Sequence, residues 1–379
     1  MPDPKNVFVT GATGFLGSHL AFRLLEQGHH VQALARSSKN TSARTRVEET
    51  LQSVAGSAEL LKPHLARLDV IEGDISQPSL GMNDEARQQM ITSTAEVWHC
   101  AASLSFSEED REEIFRMNIG GTEHLLSLVE QTTTRRLQHV STAYVAGNRP
   151  DIAKEGDIDV GQTFKNPYEE SKCRSELLVA AAHRHGKVGA TIYRPSIVIG
   201  DSKTGRVTHF HGVYAFIRGL WTALARIRRR MPEGGTVHLP LRVAGNVSGT
   251  LNFVPIDYVV DGMLAIAAQE SSLGQTYHLA NPVPTPNAVW LPNITRLLGV
   301  TGVEIVPESS FAETPMTKME MLFQRQMAFY YMYLQGEPRF DCSQTQAALK
   351  GTGIECPTVT VEFIEKMIGW YVRYLQGEK

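Results

Sequence analysis

The 379-residue sequence predicts an α/β fold built on a doubly wound parallel sheet. Short apolar runs alternate with amphipathic helical patterns along the first half of the chain, and a glycine-rich turn follows the first run. The runs typical of buried strands lie at residues 7–10, 30–35, 68–73, 96–100, 137–141 and 190–194. This alternation is typical of βαβ units, in which helices cover both faces of a parallel sheet.

The regular alternation stops near residue 200. The following segment, 201–249, is rich in Gly, Arg and His, and we expect it to form an insertion away from the sheet. Two late strands with a helix between them are expected within 251–280. Further helical patterns lie at 288–298, 316–334 and 361–375.

These patterns predict two regions of the chain. Residues 1–200 would form a cofactor domain, which residues 251–280 rejoin. Residues 201–250 and 281–379 would form a smaller, mainly C-terminal lobe that binds the substrate.

The composition is that of an ordinary globular protein, with 42% hydrophobic and 20% charged residues. The net charge of -3 gives no electrostatic reason to expect nucleic acid or an anionic membrane as partner. The four cysteines form no CxxC pair and no cluster with histidine, so we predict neither a disulfide framework nor a metal site. The N-terminus runs directly into a strand, and no apolar run approaches the roughly 20 residues that span a bilayer, so we expect a cytoplasmic protein.

The glycine-rich turn between the first strand and the first helix predicts a dinucleotide site. Gly11 would permit the tight turn, Gly14 would let the backbone approach a pyrophosphate, and Gly17 would allow close packing of helix on strand. The pyrophosphate would then face the positive end of the helix, as in Rossmann-type domains. The residues expected to bind the cofactor here are Gly11, Thr13, Gly14, Phe15, Leu16 and Gly17.

The end of the second strand distinguishes the two nicotinamide cofactors. An NAD site usually has an acidic residue there for the ribose 2′-hydroxyl, and this sequence has none. Arg36 offers a planar guanidinium suited to a 2′-phosphate, Ser37 can add a hydroxyl donor, and Arg44 or Arg46 can supply a second charge. We therefore predict NADP(H), the alternative being that these arginines are solvated loop residues.

Tyr168 and Lys172 are the predicted catalytic pair. Their spacing of four residues places a phenol and an ammonium on one face of a helix. A nearby cation lowers the pKa of a phenol, which favours proton exchange during carbonyl reduction. Upstream, Ser141 and Thr142 follow the fifth strand, and one of these hydroxyls can orient a substrate carbonyl.

With these residues the sequence resembles the extended short-chain dehydrogenases/reductases over its first 200 residues. Within that superfamily, 141–145 and 194–197 are most similar to the male-sterility branch, which contains fatty acyl-CoA reductases and the thioester reductase domains of carboxylic acid reductases and peptide synthetases. The motifs that carry the resemblance are residues 10–17, 73–75, 99–102, Asn118, 141–143, Tyr168 with Lys172, and 193–196.

The resemblance implies roles for residues that spacing alone does not assign. It makes Thr142 the hydroxyl of a catalytic triad with Tyr168 and Lys172, with Ser141 as the competing hydroxyl and a nearby cofactor residue. It also implies where the cofactor lies. The adenine would lie along Asp74 and Ile75, and the ribose near Ala101 and Ala102. Asn118 is a further implied cofactor residue, and the nicotinamide carboxamide would lie against Pro195, Ser196 and Ile197.

The activity that the resemblance implies is NADPH-dependent reduction of an acyl thioester to an aldehyde, which a second hydride could take to the alcohol. The thioester would be an acyl-CoA or would arrive on an acyl carrier protein. The same triad would also serve a ketone or aldehyde reductase of the hydroxysteroid dehydrogenase type. A nucleotide-sugar epimerase shares the fold but mostly holds NAD, and a non-catalytic nucleotide sensor would lack the Tyr/Lys pair.

Three features of the substrate lobe have both a functional and a structural interpretation. A positive patch would suit an acidic carrier protein or coenzyme A phosphates, or would simply be solvated; it comprises Arg218, Arg226, Arg228, Arg229 and Arg230. A helical stretch rich in methionine and aromatics, 316–332, would line an acyl pocket or form plain core. His209 and His211 would lie at the substrate entrance, and for His99 we expect packing rather than catalysis.

Overall fold

The computed structural model describes residues 3–210, 212–228 and 235–377. The chain divides into two compact units. Unit 1 comprises Met1–Pro195, Ile256–Leu279 and Phe340–Glu355. Unit 2 comprises Ser196–Pro255, Ala280–Arg339 and Cys356–Lys379.

The regular elements are numbered in chain order. The strands are β1 (Asn6–Thr10), β2 (His30–Ala35), β3 (Leu68–Glu72), β4 (Glu96–His99), β5 (Arg136–Val140), β6 (Ile152–Ala153), β7 (Gly189–Pro195), β8 (Ile197–Ile199), β9 (Val237–Ala244), β10 (Thr250–Leu251), β11 (Phe253–Pro255), β12 (Thr276–Leu279), β13 (Thr285–Pro286), β14 (Val300–Val306) and β15 (Arg339–Phe340). The helices are α1 (Phe15–Glu26), α2 (Ala43–Ala55), α3 (Ala58–Leu61), α4 (Asp84–Ser93), α5 (Arg111–Phe115), α6 (Gly121–Val129), α7 (Pro167–Arg184), α8 (Val213–Arg228), α9 (Ile256–Ala267), α10 (Asn287–Leu297), α11 (Ser310–Glu313), α12 (Lys318–Gln326), α13 (Ala328–Leu334), α14 (Ser343–Leu349) and α15 (Val361–Gln376).

Unit 1 contains a seven-stranded parallel sheet in the order β12-β7-β5-β4-β1-β2-β3. The strand order reverses between β1 and β4, which pair from Val7↔Glu96 to Thr10↔His99. This is a doubly wound, Rossmann-type sheet, and ligands bind such sheets outside the carboxyl ends of the strands at that switch point. The predicted fold class is confirmed.

The strands of the sheet are rich in buried apolar side chains, as parallel sheets require, with a few buried polar ones such as His99 and His139 among them. On one face a continuous core joins Phe8, Val97 and Leu137 of the sheet to Leu125 of α6 and Val179 of α7, all of them buried. Each such side chain contributes about 1.5–3 kcal/mol to folding. The core therefore holds α6 and α7 against the strands whose ends carry the predicted site.

Unit 2 is built on small two-stranded sheets, β8 with β11, β9 with β14, and β10 with β13. Trp290 of α10 is almost fully buried and meets the rings of Phe216 and Phe253 edge to face, at centroid distances of 5.6 and 6.4 Å. An apolar cavity of about 20 Å³ lies beside these rings under α15.

The unit boundaries differ from the predicted regions in one segment above all. Residues 340–355, which we had assigned to the substrate lobe, pack in unit 1. The buried carboxylate of Glu155 explains this, because it accepts the backbone N–H of Thr345 at 3.0 Å and that of His278 at 2.9 Å. Residues 196–200 and 251–255 belong to unit 2, whereas 256–279 belong to unit 1.

The predicted insertion contains α8 and β9, which lie in unit 2 and do not belong to the seven-stranded sheet. One element prediction was wrong in detail. The single helix expected at 316–334 is broken at Met327, which has a φ of -108° and separates α12 from α13. Phe323 and Met327 lie against Gly219 of α8 and are buried, so these two residues belong to the core of unit 2.

Some predicted features lie outside the described structure. His211, Arg229 and Arg230 are not among the described residues, and the side chains of Arg226 and Arg228 are not described either. Within the described ranges, no helix combines the length and apolar character needed to cross a membrane. In the same ranges, no group of three or more His, Cys, Asp or Glu side chains is arranged to hold a metal ion.

Candidate active site

The turn between β1 and α1 has the geometry of a phosphate-binding loop. Gly11 has a φ of +79°, and a Cβ on it would lie 2.7 Å from the backbone nitrogen of Ala101. A Cβ on Gly17 would lie 2.2 Å from the Gly11 carbonyl oxygen. The two glycines are therefore required sterically, because side chains would fill the space in which the backbone segments meet.

The start of α1 suits an anion. Gly14 is the N-cap of the helix, no side chain caps it, and the first turn contains no acidic residue. A Cβ on Gly14 would approach only the Gly11 carbonyl oxygen, at 3.3 Å, so this side of the turn is open. The positive end of the helix and an open backbone fit the pyrophosphate of a dinucleotide.

The loop after β2 brings two arginines together. The Arg36 side chain is 55% exposed, and its guanidinium lies 3.4 Å from Asp74 Oδ2. The guanidinium of Arg46 donates to the Arg36 carbonyl oxygen. Ser37 Oγ accepts from the backbone N–H of Ala43 at 3.1 Å. Arg44 makes an exposed ion pair with Glu48 at 2.8 Å on the surface of α2.

Asp74 and Ile75 follow β3, and the first is partly buried whereas the second is buried. Partial burial raises the pKa of Asp74, but hydrogen bonds from Ser76 and the charge of Arg36 outweigh it and hold the carboxyl below its usual pKa. Ile75 is buried against Gly121 of α6, whose Cβ would lie 3.0 Å from Ile75 Cδ1. The Ile75 side chain is therefore part of the core.

Asn118 joins the loop after β4 to α7. It lies in a π-helical turn, Arg116–Gly120, between α5 and α6. Its Oδ1 accepts from the Ser103 N–H at 2.7 Å, and its Nδ2 donates to the Ser103 carbonyl at 3.1 Å and to Ser171 Oγ at 2.9 Å. The half-buried Ala101 and Ala102 precede this clamped segment.

Helix α7 carries the predicted catalytic pair. It begins at Pro167, and its N-cap Asn166 accepts from the N–H of Glu169 at 3.0 Å. Tyr168 in the first turn is half-buried, and its hydroxyl is hydrogen-bonded to the Thr142 side chain. Lys172, one turn later, is buried and donates to the Val140 carbonyl at 2.8 Å. The structure thus brings Thr142, Tyr168 and Lys172 together at the end of β5.

The two ionisable groups have shifted pKa values. Burial raises the pKa of Tyr168, the Glu169 carboxylate adds to this, and only the hydrogen bond with Thr142 opposes it. Burial lowers the pKa of Lys172 to about 8, against the effect of Glu176 and Cys100. The prediction of a lowered phenol pKa is therefore wrong, because desolvation dominates at Tyr168.

Ser141 and Thr142 occupy different environments. Ser141 is buried, and its hydroxyl has no hydrogen-bond partner among the described residues. Thr142 Oγ accepts from the N–H of Tyr144 at 3.3 Å and meets Tyr168. The hydroxyl next to the phenol is therefore that of Thr142.

The remaining predicted residues end or follow β7. Pro195 is the last residue of β7 and of the continuous first segment of unit 1. Ser196 and Ile197 belong to unit 2, where Ser196 Oγ donates to Asn252 Oδ1 at 2.7 Å and the Ile197 N–H donates to the Asn252 carbonyl at 3.0 Å. His209 is half-buried in unit 2, 3.1 Å from the Thr208 hydroxyl.

Two contacts of the site were missed by sequence reasoning. The ring of Phe106 lies 5.6 Å from that of Tyr168, and nothing in the sequence indicates that this loop residue reaches α7. Glu176 is fully buried in a bidentate ion pair with Arg194, at 2.5 and 2.9 Å. The sequence did contain a signal for Glu176, because it follows Lys172 by four residues and therefore lies on the same face of the helix.

The sheet order, the glycine turn at its switch point and the Tyr/Lys helix define the class of protein as an extended short-chain dehydrogenase/reductase. Residues 9–263 match the family described as male sterility protein, so the chain belongs to that family. This confirms the resemblance, and the family supports a nicotinamide dinucleotide as cofactor.

The chain is similar to proteins of several kinds. A non-canonical nonribosomal peptide synthetase of Aspergillus campestris is 28% identical over 301 residues, which is 75% of this chain and 26% of that protein. Fatty acyl-CoA reductase 1 of Mus musculus is 29% identical over 299 residues, 70% of this chain and 55% of that protein. The solved terminal R domain of the myxalamid PKS-NRPS pathway is 25% identical with a TM-score of 0.80, covering 100% of this chain and 93% of that one. The chain thus spans about half or less of these two curated relatives.

Proposed function

We propose that this protein is an NADPH-dependent reductase that converts an acyl thioester into an aldehyde, with Thr142, Tyr168 and Lys172 as its catalytic residues. The observation that carries the proposal is the placement of the Thr142 and Tyr168 hydroxyls beside the buried Lys172 at the end of β5. The relatives named as reductases and the reductase domain with the same fold support the substrate class.

The cofactor fits the residues that are present. The glycine turn leaves room for a pyrophosphate at the start of α1, and the β2 loop offers Arg36 and Arg46 where an NAD site would have an acid. A guanidinium binds a 2′-phosphate with charge-assisted hydrogen bonds. When bound, the reduced nicotinamide would supply hydride to the substrate carbonyl carbon.

The chain's own residues would handle the oxygen and the proton. The Thr142 and Tyr168 hydroxyls would both donate to the carbonyl oxygen and stabilise the negative charge that develops on it. Because its pKa is raised, Tyr168 stays protonated near neutral pH, which suits a proton donor. Lys172, with a pKa of about 8, is mostly cationic at neutral pH and would hold the ribose while it favours proton transfer from the phenol.

With a thioester, the carbon that gains hydride becomes tetrahedral. Its C–S bond then breaks, the carbonyl re-forms as an aldehyde, and the sulfur leaves as thiolate, which takes a proton from solvent. If the aldehyde stays bound and a second cofactor is used, Tyr168 gives its proton to the new alkoxide and an alcohol results. Acyl-CoA and acyl carrier protein are the substrates that we propose.

NADPH oxidation, followed by absorbance against acyl-CoAs, acyl-carrier thioesters, aldehydes and ketones, tests the proposal. We expect oxidation with thioesters, accompanied by free thiol. Activity confined to free aldehydes or ketones would leave the site in place but reject thioester reduction. A greater efficiency with NADH than with NADPH would reject the 2′-phosphate assignment.

A further inference from the structure

We propose that His99 is a positioning residue of the nucleotide site. Its neutral imidazole sets the spacing between the phosphate-binding turn and the segment that starts at Ala101, and it connects both to Asn118. The inference rests on the proposed nucleotide-dependent function and assigns a role to a buried side chain for which the sequence indicated packing alone.

One side of the imidazole faces β1. Thr10 Oγ1 lies 2.8 Å from His99 Nδ1, and the same oxygen accepts the Ala101 N–H at 3.2 Å. Gly11, the next residue, approaches this backbone so closely that a Cβ would lie 2.7 Å from the Ala101 nitrogen. The Thr10 hydroxyl thus joins the end of β1, where the turn begins, to the end of β4 and the segment that follows it.

The other side of the imidazole faces α6. His99 Nε2 lies 3.2 Å from Thr122 Oγ1, and that hydroxyl donates to the Asn118 carbonyl oxygen at 2.7 Å. Since the Thr122 proton is already used, Nε2 must be the donor in this contact. In a neutral ring this puts the proton on Nε2 and leaves Nδ1 as the acceptor of the Thr10 hydroxyl proton.

The surroundings keep the ring neutral. His99 is fully buried, and burial together with the ammonium of Lys172 on α7 lowers its pKa to about 3. The other titratable groups beside it are His139 on β5 and Cys100, which follows β4. A second ring proton would put a donor against the Thr10 hydroxyl and break the directed chain from Ala101 to Asn118.

His139 provides a matched control. It is the register partner of His99 on β5, with ring centroids 5.3 Å apart, and it is equally buried. Both of its ring nitrogens have no hydrogen-bond partner among the described residues. The two histidines therefore share environment and volume and differ in their connections.

The experiment measures the dissociation constant of NADPH for the full chain by fluorescence, with thermal unfolding alongside. His99→Leu removes two hydrogen bonds and should weaken NADPH binding about tenfold or more. His139→Leu should stay within about twofold of the wild type, because it removes no bond. His99→Gln restores an N–H near the Nε2 position and His99→Asn an acceptor near Nδ1, so each should recover part of the affinity.

Equal NADPH affinity for His99→Leu and His139→Leu would overturn the inference, as would equal losses for the Leu, Gln and Asn variants. If His99→Leu does not fold, His99→Gln and His99→Asn compared with His139→Leu decide the same question. A wild type that binds NADPH but reduces no thioester would reject the proposed reaction and leave this test intact. A wild type that binds no NADPH would overturn both.

Discussion

Arg36 should decide which nicotinamide cofactor the protein accepts. Its side chain is 55% exposed, and its guanidinium lies 3.4 Å from the Asp74 carboxylate, a surface pair of the kind that contributes at most about 1 kcal/mol. A charge-assisted hydrogen bond to a phosphate is worth about 1.5–3 kcal/mol. The difference predicts that Arg36→Ala weakens NADPH binding by roughly 0.5–3 kcal/mol, or about two- to 150-fold. The affinity for NADH, which has no 2′-phosphate, should change by less than about twofold.

The assay is titration of both reduced cofactors, followed by nicotinamide fluorescence at two salt concentrations. Higher salt should reduce the difference in NADPH affinity between wild type and Arg36→Ala, because the contact of Arg36 with the 2′-phosphate is exposed and therefore screened. Arg184→Ala is the control, since Arg184 is an exposed arginine at the opposite end of α7 from Tyr168. Equal losses of NADPH and NADH affinity in Arg36→Ala would refute the reasoning.

Three further predictions concern the triad and the turn. Tyr168→Phe should abolish turnover while NADPH affinity stays within about twofold, because the lost hydroxyl is the one that stabilises the negative charge on the carbonyl oxygen and gives its proton in the second reduction; retained turnover would reject its role. The ratio kcat/KM should fall as pH rises through about 8, where Lys172 loses its proton. Because the Glu176 carboxylate raises the pKa of Lys172, Glu176→Gln should move this decline to lower pH. An unshifted pH profile in Glu176→Gln would contradict this reasoning. Gly17→Ala should weaken NADPH binding more than about tenfold with an unchanged circular dichroism spectrum, because its Cβ would meet the Gly11 carbonyl at 2.2 Å; normal affinity would reject the steric argument.

The parallel sheet could be predicted from sequence because its signals are local. Apolar runs of strand length and the glycine spacing at 11, 14 and 17 appear directly in the chain. The pair Tyr168 and Lys172 is local too, since helical spacing places both on one face.

The other parts of the site depend on contacts between distant residues. Whether Ser141 or Thr142 meets Tyr168 depends on how α7 packs against the end of β5. Which of Arg44 and Arg46 reaches the Arg36 backbone depends on which face of α2 turns toward the loop. The spacing of the residues decides neither choice, and Thr142 was preferred over Ser141 only through the resemblance.

Electrostatic expectations failed for a similar reason. The sequence places a cation one turn from the phenol, which suggests a lowered phenol pKa. In the folded chain burial raises the pKa of Tyr168 and lowers that of Lys172, because both groups are desolvated together. The spacing of Tyr168 and Lys172 places both on one helix face, but it does not say how strongly each group is desolvated.

The most direct test of the central claim follows a single hydrogen. NADPH deuterated at the transferring position of the nicotinamide is mixed with an acyl-CoA, and the product is analysed by mass spectrometry while free thiol is quantified. The account predicts deuterium on the former thioester carbon and one equivalent of thiol for each acyl group reduced. Thiol release without deuterium in the product, or deuterium transfer to free aldehydes alone, would contradict it.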